Sequence, residues 1–280
     1  DIHQTASRKA AICPRVTRSS EQRLSLSGGL QPSVMPAVAI LLIGATACGG
    51  EAGPASTTAP PGTAVPPTST TTVTTTTAAV TTTTISREQY ELARERIDAL
   101  GLSDRIEVLN LDYRDLEGQY DRIVSIEMIE AVGHQYMDHY FARCNSLLKP
   151  DGMMLLQAIT MTDQHYEAAL REVDFIKRYI FPGGFLPSVT AIASSMTRAT
   201  QMKISHLEDI GLHYARTLED WRKRFSQQLD AVRSLGYPES FIRLWDYYFC
   251  YCQGGFEERY LGTVQLLLTK PDARPADVRY

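Results

Sequence analysis

The sequence predicts an α/β fold, and three observations support this prediction. Strand-like and helix-like segments alternate in a βαβαβ order across residues 78–159. Residues 153–159 form a continuous apolar run, which is typical of a strand covered on both faces of its sheet. The strand pattern of residues 121–126 leads directly into Glu127 and Glu130, and ligands in such folds collect where strands end. We expect both acids to face a crevice, the alternative being a strand-to-helix turn with solvated acids.

Each element has its own local signal. The first strand of the series, residues 78–85, is rich in β-branched side chains. Ser86 and Gln89 form a capping-box pair, which predicts a helix that begins here and ends near Gly101. A helical insertion at about residues 160–200 is expected to form a lid over the crevice. The other predicted elements are strands at 105–109, 121–126, 153–159, 203–214 and 262–269, and helices at 135–148, 166–179, 188–196, 218–235 and 239–252.

Residues 1–77 differ from this pattern and are predicted to be a disordered or low-complexity leader. An apolar run within residues 35–48 is too short to cross a bilayer and has the length of a signal-peptide core. It ends at Cys48, and residues 49–77 form a linker rich in Thr and Pro. This arrangement resembles the start of a bacterial lipoprotein. The alternative is a leader with no targeting function.

Composition excludes two classes of function. The net charge is −4 and no long basic run is present, so nucleic-acid binding is not expected. The five cysteines lack paired metal-ligand spacing, and we predict no metal site. Reduced thiols in a cytosolic core are the simpler interpretation. Cys250 and Cys252 lie in an aromatic run, where cysteine usually behaves as a small buried hydrophobe.

Five linked motifs carry a family resemblance. In order, they are Thr84-Ile-Ser-Arg-Glu-Gln89, Asp112-Tyr-Arg-Asp115, Asp121-Arg-Ile-Val-Ser-Ile-Glu-Met-Ile-Glu-Ala-Val-Gly133, Leu155-Leu-Gln-Ala-Ile-Thr160 and Tyr179-Ile-Phe-Pro-Gly-Gly-Phe-Leu-Pro-Ser188. Together they resemble cyclopropane-fatty-acyl-phospholipid synthases, relatives of the mycolic acid cyclopropane synthases, over roughly residues 78–272. The resemblance implies a Rossmann-like class I methyltransferase sheet and S-adenosylmethionine as the donor. It also implies that the substrate is a membrane phospholipid with unsaturated acyl chains and the product a cyclopropane fatty acid.

The resemblance also implies an acceptor site that holds bicarbonate as the base. Glu130 would bind this ion, Tyr214 would contribute its hydroxyl and Ile159 its backbone. Gln157 stands at a position often occupied by histidine, and an amide hydrogen-bonds but does not titrate. A negative Glu130 would keep the bicarbonate basic. The structural alternatives are a core role for Tyr214, a buried amide at Gln157 and a helix N-terminal acid at Glu130.

Six residues are implied for the donor site. They are Thr84, Ile85 and Gln89 near the ribose, Tyr113 and Arg114 around adenine, and the backbone of Glu127. The family's first strand and glycine-rich turn are not recognisable before Thr84. Residues 41–50 are the nearest candidate, but they lack an acid between the strand and Gly44. We therefore expect a sheet without its first strand, and weak or no binding of S-adenosylmethionine.

Two interpretations follow for partners and location. The first is a cytoplasmic enzyme, peripheral at the inner membrane, with a homodimer possible. Lys177, Arg178 and residues 222–224 would meet anionic headgroups, and residues 245–251 would line an acyl tunnel; solvated helix faces and ordinary core are the alternatives. The second interpretation is an exported, lipid-anchored binding or scaffold protein without catalysis, if the segment at Cys48 is processed.

Overall fold

The computed structural model describes the backbone of Ala39–Ile43 and all of residues 80–275. The strands are β1 (Ala39–Ile43), β2 (Val80–Thr84), β3 (Ile106–Asn110), β4 (Tyr120–Ile126), β5 (Leu148–Met161), β6 (Lys203–Asp209) and β7 (Leu261–Thr269). The helices are α1 (Arg87–Ala99), α2 (Ile129–Val132), α3 (Met137–Leu147), α4 (Asp163–Arg171), α5 (Phe175–Tyr179), α6 (Val189–Ala199), α7 (Gly211–Gln227), α8 (Leu229–Ser234) and α9 (Glu239–Glu257). Short 3-10 turns lie at Tyr113–Asp115 and His134–Tyr136.

The strands form one mixed sheet in the order β3-β2-β1-β4-β5-β7-β6. β2 and β3 are parallel, as are β4 and β5, while β7 is antiparallel to both β5 and β6. Helices connect the parallel strands, as the alternating pattern predicted. The α/β class with a Rossmann-like sheet is therefore confirmed.

The prediction that the sheet lacks its first strand is wrong, because a strand occupies that position in the sheet. β1 lies between β2 and β4, and it runs antiparallel to both. An extended apolar segment satisfies backbone hydrogen bonds in either direction, so the pattern alone does not set the orientation. Ile43 pairs with Val80 and Arg122, at the amino ends of β2 and β4. β1 therefore ends at the edge of the sheet opposite the crevice.

The predicted leader lies largely outside the described residues. Within residues 1–77 the structure describes only the backbone of β1. The proposed lipid-bearing Cys48 and the linker at residues 49–77 are among those that are not described. None of the described helices is long and apolar enough to span a bilayer.

The main core lies on the β4–β5–β7 side of the sheet. Tyr140 and Phe141 of α3 are fully buried against strand residues such as Ile123 and Leu156. A second cluster joins α7 to α9 through Leu218, Phe249 and Phe256, among others. These two clusters leave the carboxyl ends of β4 and β5 between them, where the candidate site lies.

Several element boundaries differ from prediction. β6 ends at Asp209, so the predicted strand at 203–214 is too long. The Asp209 carboxylate accepts the Gly211 N–H at 2.7 Å, and a Cβ on Gly211 would lie 3.0 Å from the Gly262 Cα, so a tight turn starts α7 there. Tyr214 is consequently helical. The lid also differs, because the predicted helix at 166–179 is two helices, α4 and α5.

Candidate active site

Glu127 and Glu130 lie at the carboxyl end of β4, as the sequence predicted. Glu127 directly follows the strand and has a left-handed backbone with φ of 53°, which is uncommon outside glycine. Its N–H donates to the Gln157 carbonyl at 2.9 Å and so fixes the turn to β5. Glu130 occupies the first turn of α2. The sharp turn thus directs both acids toward the crevice rather than along the sheet.

The Glu127 carboxylate is an acceptor shared by two side chains from distant parts of the chain. Its Oε1 accepts Gln157 Nε2 at 2.9 Å and also the Tyr214 hydroxyl. Gln157 Oε1 in turn accepts Gln265 Nε2 at 2.8 Å. The resemblance gave Glu127 only a backbone role, and the structure shows that its side chain joins Tyr214 to Gln157.

Glu130 is held separately and its carboxyl is buried. Oε1 accepts the Ile159 N–H at 2.5 Å, whereas Oε2 is buried and has no hydrogen-bond partner among the described residues. Burial raises the Glu130 pKa to about 8. Burial thus favours the protonated form over the negative Glu130 that was expected, because the loss of hydration outweighs the hydrogen bond from Ile159. A protonated Glu130 offers a donor where a carboxylate would offer only acceptors.

A cavity of about 400 Å³ opens beside these groups. Apart from the acids, its walls are mainly apolar and aromatic, and the lid supplies Ile176, Phe181 and Phe185. Tyr214 packs on Phe256 with ring centroids 5.1 Å apart. Burial raises the pKa of Tyr214, so this phenol stays neutral at physiological pH. The cavity therefore suits a long apolar ligand with its reactive part near the acids.

The aromatic run of α9 is divided between the cavity wall and the second core cluster. Tyr248 and Tyr251 line the cavity, in keeping with an acyl tunnel. Trp245 instead packs on Phe249, with ring centroids 5.8 Å apart, in the second core cluster. Cys252 also lines the cavity, whereas Cys250 is buried. Within the described part of the chain no group of His, Cys, Asp and Glu forms a metal cluster.

The donor-side residues lie at the ends of β2 and β3. The Leu111 N–H donates to the Thr84 carbonyl at 3.1 Å, so the two strand ends share one edge. Thr84 Oγ1 donates to Gln89 Oε1 at 2.9 Å, and Ser86 accepts the Gln89 N–H at 3.3 Å, which confirms the predicted helix cap. Ile85 is 78% exposed at this edge. An exposed apolar side chain at a strand end leaves a surface on which a planar base can pack.

The two residues expected around adenine are fixed by their own neighbours. Tyr113 is half-buried and meets Tyr140 edge to face at 5.9 Å. Arg114 forms an ion pair with Asp112 at 2.7 Å on the surface. Tyr113 is thus positioned by the core, whereas Arg114 is held only by a local turn.

The basic residues considered for lipid headgroups are largely engaged within the chain. Lys177 Nζ donates to the Glu172 carbonyl at 3.0 Å and also to that of Ala169. Arg222 pairs with Asp246 at 2.7 Å, and Lys223 pairs with Glu219 at 2.8 Å. These contacts favour solvated helix faces over a basic patch.

Gln265 was not predicted as part of the site. It lies between the buried residues Val264 and Leu266 on β7, and it is the cross-strand partner of Gln157. A lone amide inside an apolar strand was the available signal. Its partner lies 108 residues away, and so no local pattern joins the two.

Comparison with known proteins gives one family. The family model "Mycolic acid cyclopropane synthetase" matches residues 67–266. The chain is 42% identical over 186 residues to tuberculostearic acid methyltransferase UfaA1 of Mycobacterium tuberculosis, covering 66% of this chain and 44% of the relative. It is 37% identical over 188 residues to cyclopropane-fatty-acyl-phospholipid synthase of Escherichia coli K12, covering 66% and 46%. The chain spans about half the length of these curated relatives.

Solved structures agree with this assignment. The cyclopropane synthase MmaA2 of Mycobacterium tuberculosis has a TM-score of 0.61 at 26% identity, covering 67% of this chain and 68% of that one. The mycolic acid cyclopropane synthase CmaA1, complexed with SAH and CTAB, has a TM-score of 0.61 at 27% identity, with the same coverage.

Proposed function

This chain belongs to the mycolic acid cyclopropane synthetase family, and we propose that it transfers a methyl-derived carbon from S-adenosylmethionine to the cis double bond of an unsaturated phospholipid acyl chain, forming a cyclopropane fatty acid. One observation carries the proposal: Glu127, Glu130 and Tyr214 line one side of a largely apolar cavity of about 400 Å³, and Gln157 is hydrogen-bonded to Glu127 behind them. An acyl chain fills such a cavity, and the polar groups lie where its double bond would react.

The proposed chemistry needs a site that tolerates a cation and then removes a proton. When bound, the donor supplies an electrophilic methyl group. Transfer of this methyl to one alkene carbon would break its bond to sulfur, leave the donor as a neutral thioether and place a positive charge on the other alkene carbon. Loss of a proton from the added methyl to a base would then close the ring. The rings of Tyr214, Tyr248 and Phe256 line the cavity and attract a cation through their faces. The Glu127 carboxylate adds electrostatic stabilisation in a site poor in water.

Glu130 fits a role in binding bicarbonate, the base implied by the family. Its buried Oε2 lacks a partner among the described groups, and its raised pKa keeps a proton available for an anion. Tyr214 and the Ile159 N–H already donate to Glu127 and Glu130. They would have to exchange partners to contact the same ion. Glu130 is therefore the residue best placed to hold it.

The donor side supports the proposal in part. Thr84, Ile85 and Tyr113 supply polar and apolar groups that suit an adenosine moiety at the ends of β2 and β3. The carboxyl end of the reversed β1, Ile43, lies at the opposite edge of the sheet from these residues. This observation favours a second candidate function, a protein that binds lipid acyl chains without methyl transfer.

The lid is the proposed route for lipid entry from the cytoplasmic face of the inner membrane. Val173 and Tyr179 are 71% and 59% exposed. They flank Ile176, which lines the cavity. Exposed apolar groups next to the cavity wall suit peripheral contact with a bilayer. Such contact would let an acyl chain enter without crossing water.

Expression in cells rich in unsaturated phospholipid tests the proposal. We expect acyl chains that gain the mass of one CH₂, with ring protons detected by NMR to separate a cyclopropane from a methyl branch. Glu127→Gln should lower product about 100-fold, because it removes the negative charge that the cation requires. An exposed substitution, Glu95→Gln on α1, is the control. Acyl-chain binding without product, and without donor binding by calorimetry, would establish the second candidate instead.

A further inference from the structure

We propose that Gln265 is a positioning residue that fixes the orientation of the Gln157 amide, so that the amide NH₂ faces Glu127. The effect of Gln265 on catalysis rests on the proposed function, whereas its effect on the orientation of the Gln157 amide does not. Neither glutamine is among the residues that line the cavity. Gln265 would therefore act through Gln157 and Glu127 rather than on a ligand.

The direction of this hydrogen-bond chain follows from its acidic end. Glu127 Oε1 accepts from Gln157, so Gln157 presents its NH₂ there, and Nε2 lies 2.9 Å from Oε1. This choice leaves Gln157 Oε1 pointing toward β7. Gln265 then has to donate, as it does at 2.8 Å. Each amide has one orientation that satisfies the chain.

The strands hold these side chains in one row. Gln157 on β5 lies opposite Ile126 of β4 on one side and opposite Gln265 of β7 on the other. Gln265 in turn lies opposite the exposed Glu208 of β6. Val264 and Leu266, on either side of Gln265, are 2% and 0% exposed. Packing of these two neighbours thus fixes the backbone of Gln265 opposite Gln157.

An amide without such a partner has two orientations that differ by a half-turn. In the wrong orientation Gln157 would present its Oε1 to the Glu127 carboxylate, which places two acceptors together. Glu127 would then keep only the donor from Tyr214. Gln265 disfavours this alternative, because a flipped Gln157 would face Gln265 with its NH₂, and both amides would have to turn over together while Glu127 still met an acceptor.

Three variants test the assignment. Gln265→Leu removes the donor and should lower product formation about 10-fold, while Gln265→Glu should turn the amide over and lower it about 100-fold. Gln253→Leu is the matched control, since this glutamine donates to Glu257 at 2.7 Å on α9 and does not line the cavity. The side-chain NH₂ of Gln157, followed by NMR with ¹⁵N-glutamine, should be protected from solvent exchange in the wild type and lose that protection in Gln265→Leu.

Rescue by histidine separates orientation from simple packing. In the double variant Gln157→His, Gln265→Glu, a charged imidazole donates to Glu127 from one nitrogen and to the new carboxylate from the other. Product should recover at least 10-fold over Gln265→Glu alone and fall again as pH rises and the imidazole deprotonates. Glu127, Tyr214 and Glu208 are the other titratable groups next to this row.

The outcomes are distinct. A Gln157 NH₂ that is unprotected in the wild type, or unchanged by Gln265→Leu, overturns the inference, as does failure of the histidine rescue. The double variant keeps the test decisive where the leucine variant fails to fold. A wild type without product contradicts the proposed function, and the amide protection still decides the role of Gln265.

Discussion

The two sides of the sheet fix their functional groups by different means. On the β4–β5–β7 side, residues such as Ile123, Leu156 and Phe141 are at most 1% exposed, and the site acids are attached to this core. On the β2–β3 side, all of α1 and β3 is described and neither buries a side chain. The acceptor residues are thus positioned by long-range packing. Among the donor residues Tyr113 packs on the main core, whereas the others depend on strand pairing, one helix cap and surface contacts.

This contrast indicates that the acceptor site is preorganised and the donor edge is held mainly by local contacts. Preorganisation of polar groups is what stabilises developing charge. An edge with few buried contacts opens more easily than a packed core. Substitutions confined to one side of the sheet therefore test whether the two sides differ in packing.

The largest expected difference comes from one truncation made on each side. Leu156→Ala, at a fully buried position of β5, should lower the free energy of unfolding by about 2–5 kcal/mol. Leu92→Ala on α1, where the side chain is 47% exposed, should change it by less than about 0.5 kcal/mol. Denaturant unfolding measures both values. Equal losses would show that the two sides are equally well packed.

The next effect depends on pH and belongs to the acceptor side. The folded-state pKa of Glu130 is about 8, above its ordinary 4.5, so folding favours the protonated form. The resulting penalty is absent below pH 4.5, grows between 4.5 and 8, and is constant above 8.

Glu130→Gln removes this titration from the folded state. Wild-type stability should therefore fall by about 3 kcal/mol more than that of the variant between pH 5 and pH 8. Unfolding curves at both pH values measure the difference. Glu95→Gln, exposed on α1, is the control. Parallel pH profiles for wild type and Glu130→Gln would contradict a buried, protonated Glu130.

The smallest effect concerns the helix cap on the donor side. Ser86→Ala removes the acceptor for the Gln89 N–H and should destabilise α1 by about 1 kcal/mol. Because α1 buries no side chain, the loss should appear as faster amide exchange in α1, with β5 unchanged. Ser188 caps α6 in the same way but is buried. Ser188→Ala should therefore lower the free energy of unfolding of the whole domain as well as destabilise its own helix. Faster amide exchange in β5 of the Ser86→Ala variant would contradict this prediction and show that α1 supports the core.

Much of the fold was predictable because its signals are local. The strand leading into Glu127 and Glu130, the cap at Ser86 and the buried strand before Ile159 each depend on neighbouring residues. The direction of β1 was not predictable, since an apolar run has the same alternation both ways. The site was predictable in its members Glu130, Tyr214 and Gln157, but not in its connections. Those connections depend on register between strands far apart in sequence.

The left-handed backbone of Glu127 has a consequence for protein engineering. A residue with a side chain costs of order 1–3 kcal/mol in such a conformation, and glycine avoids much of that cost. A search for thermostable variants would therefore favour glycine at this position. The same change deletes the acceptor shared by Tyr214 and Gln157. Thermostabilisation of this protein should leave Glu127 unchanged, because backbone stability favours glycine there whereas the hydrogen bonds of the site need the carboxylate.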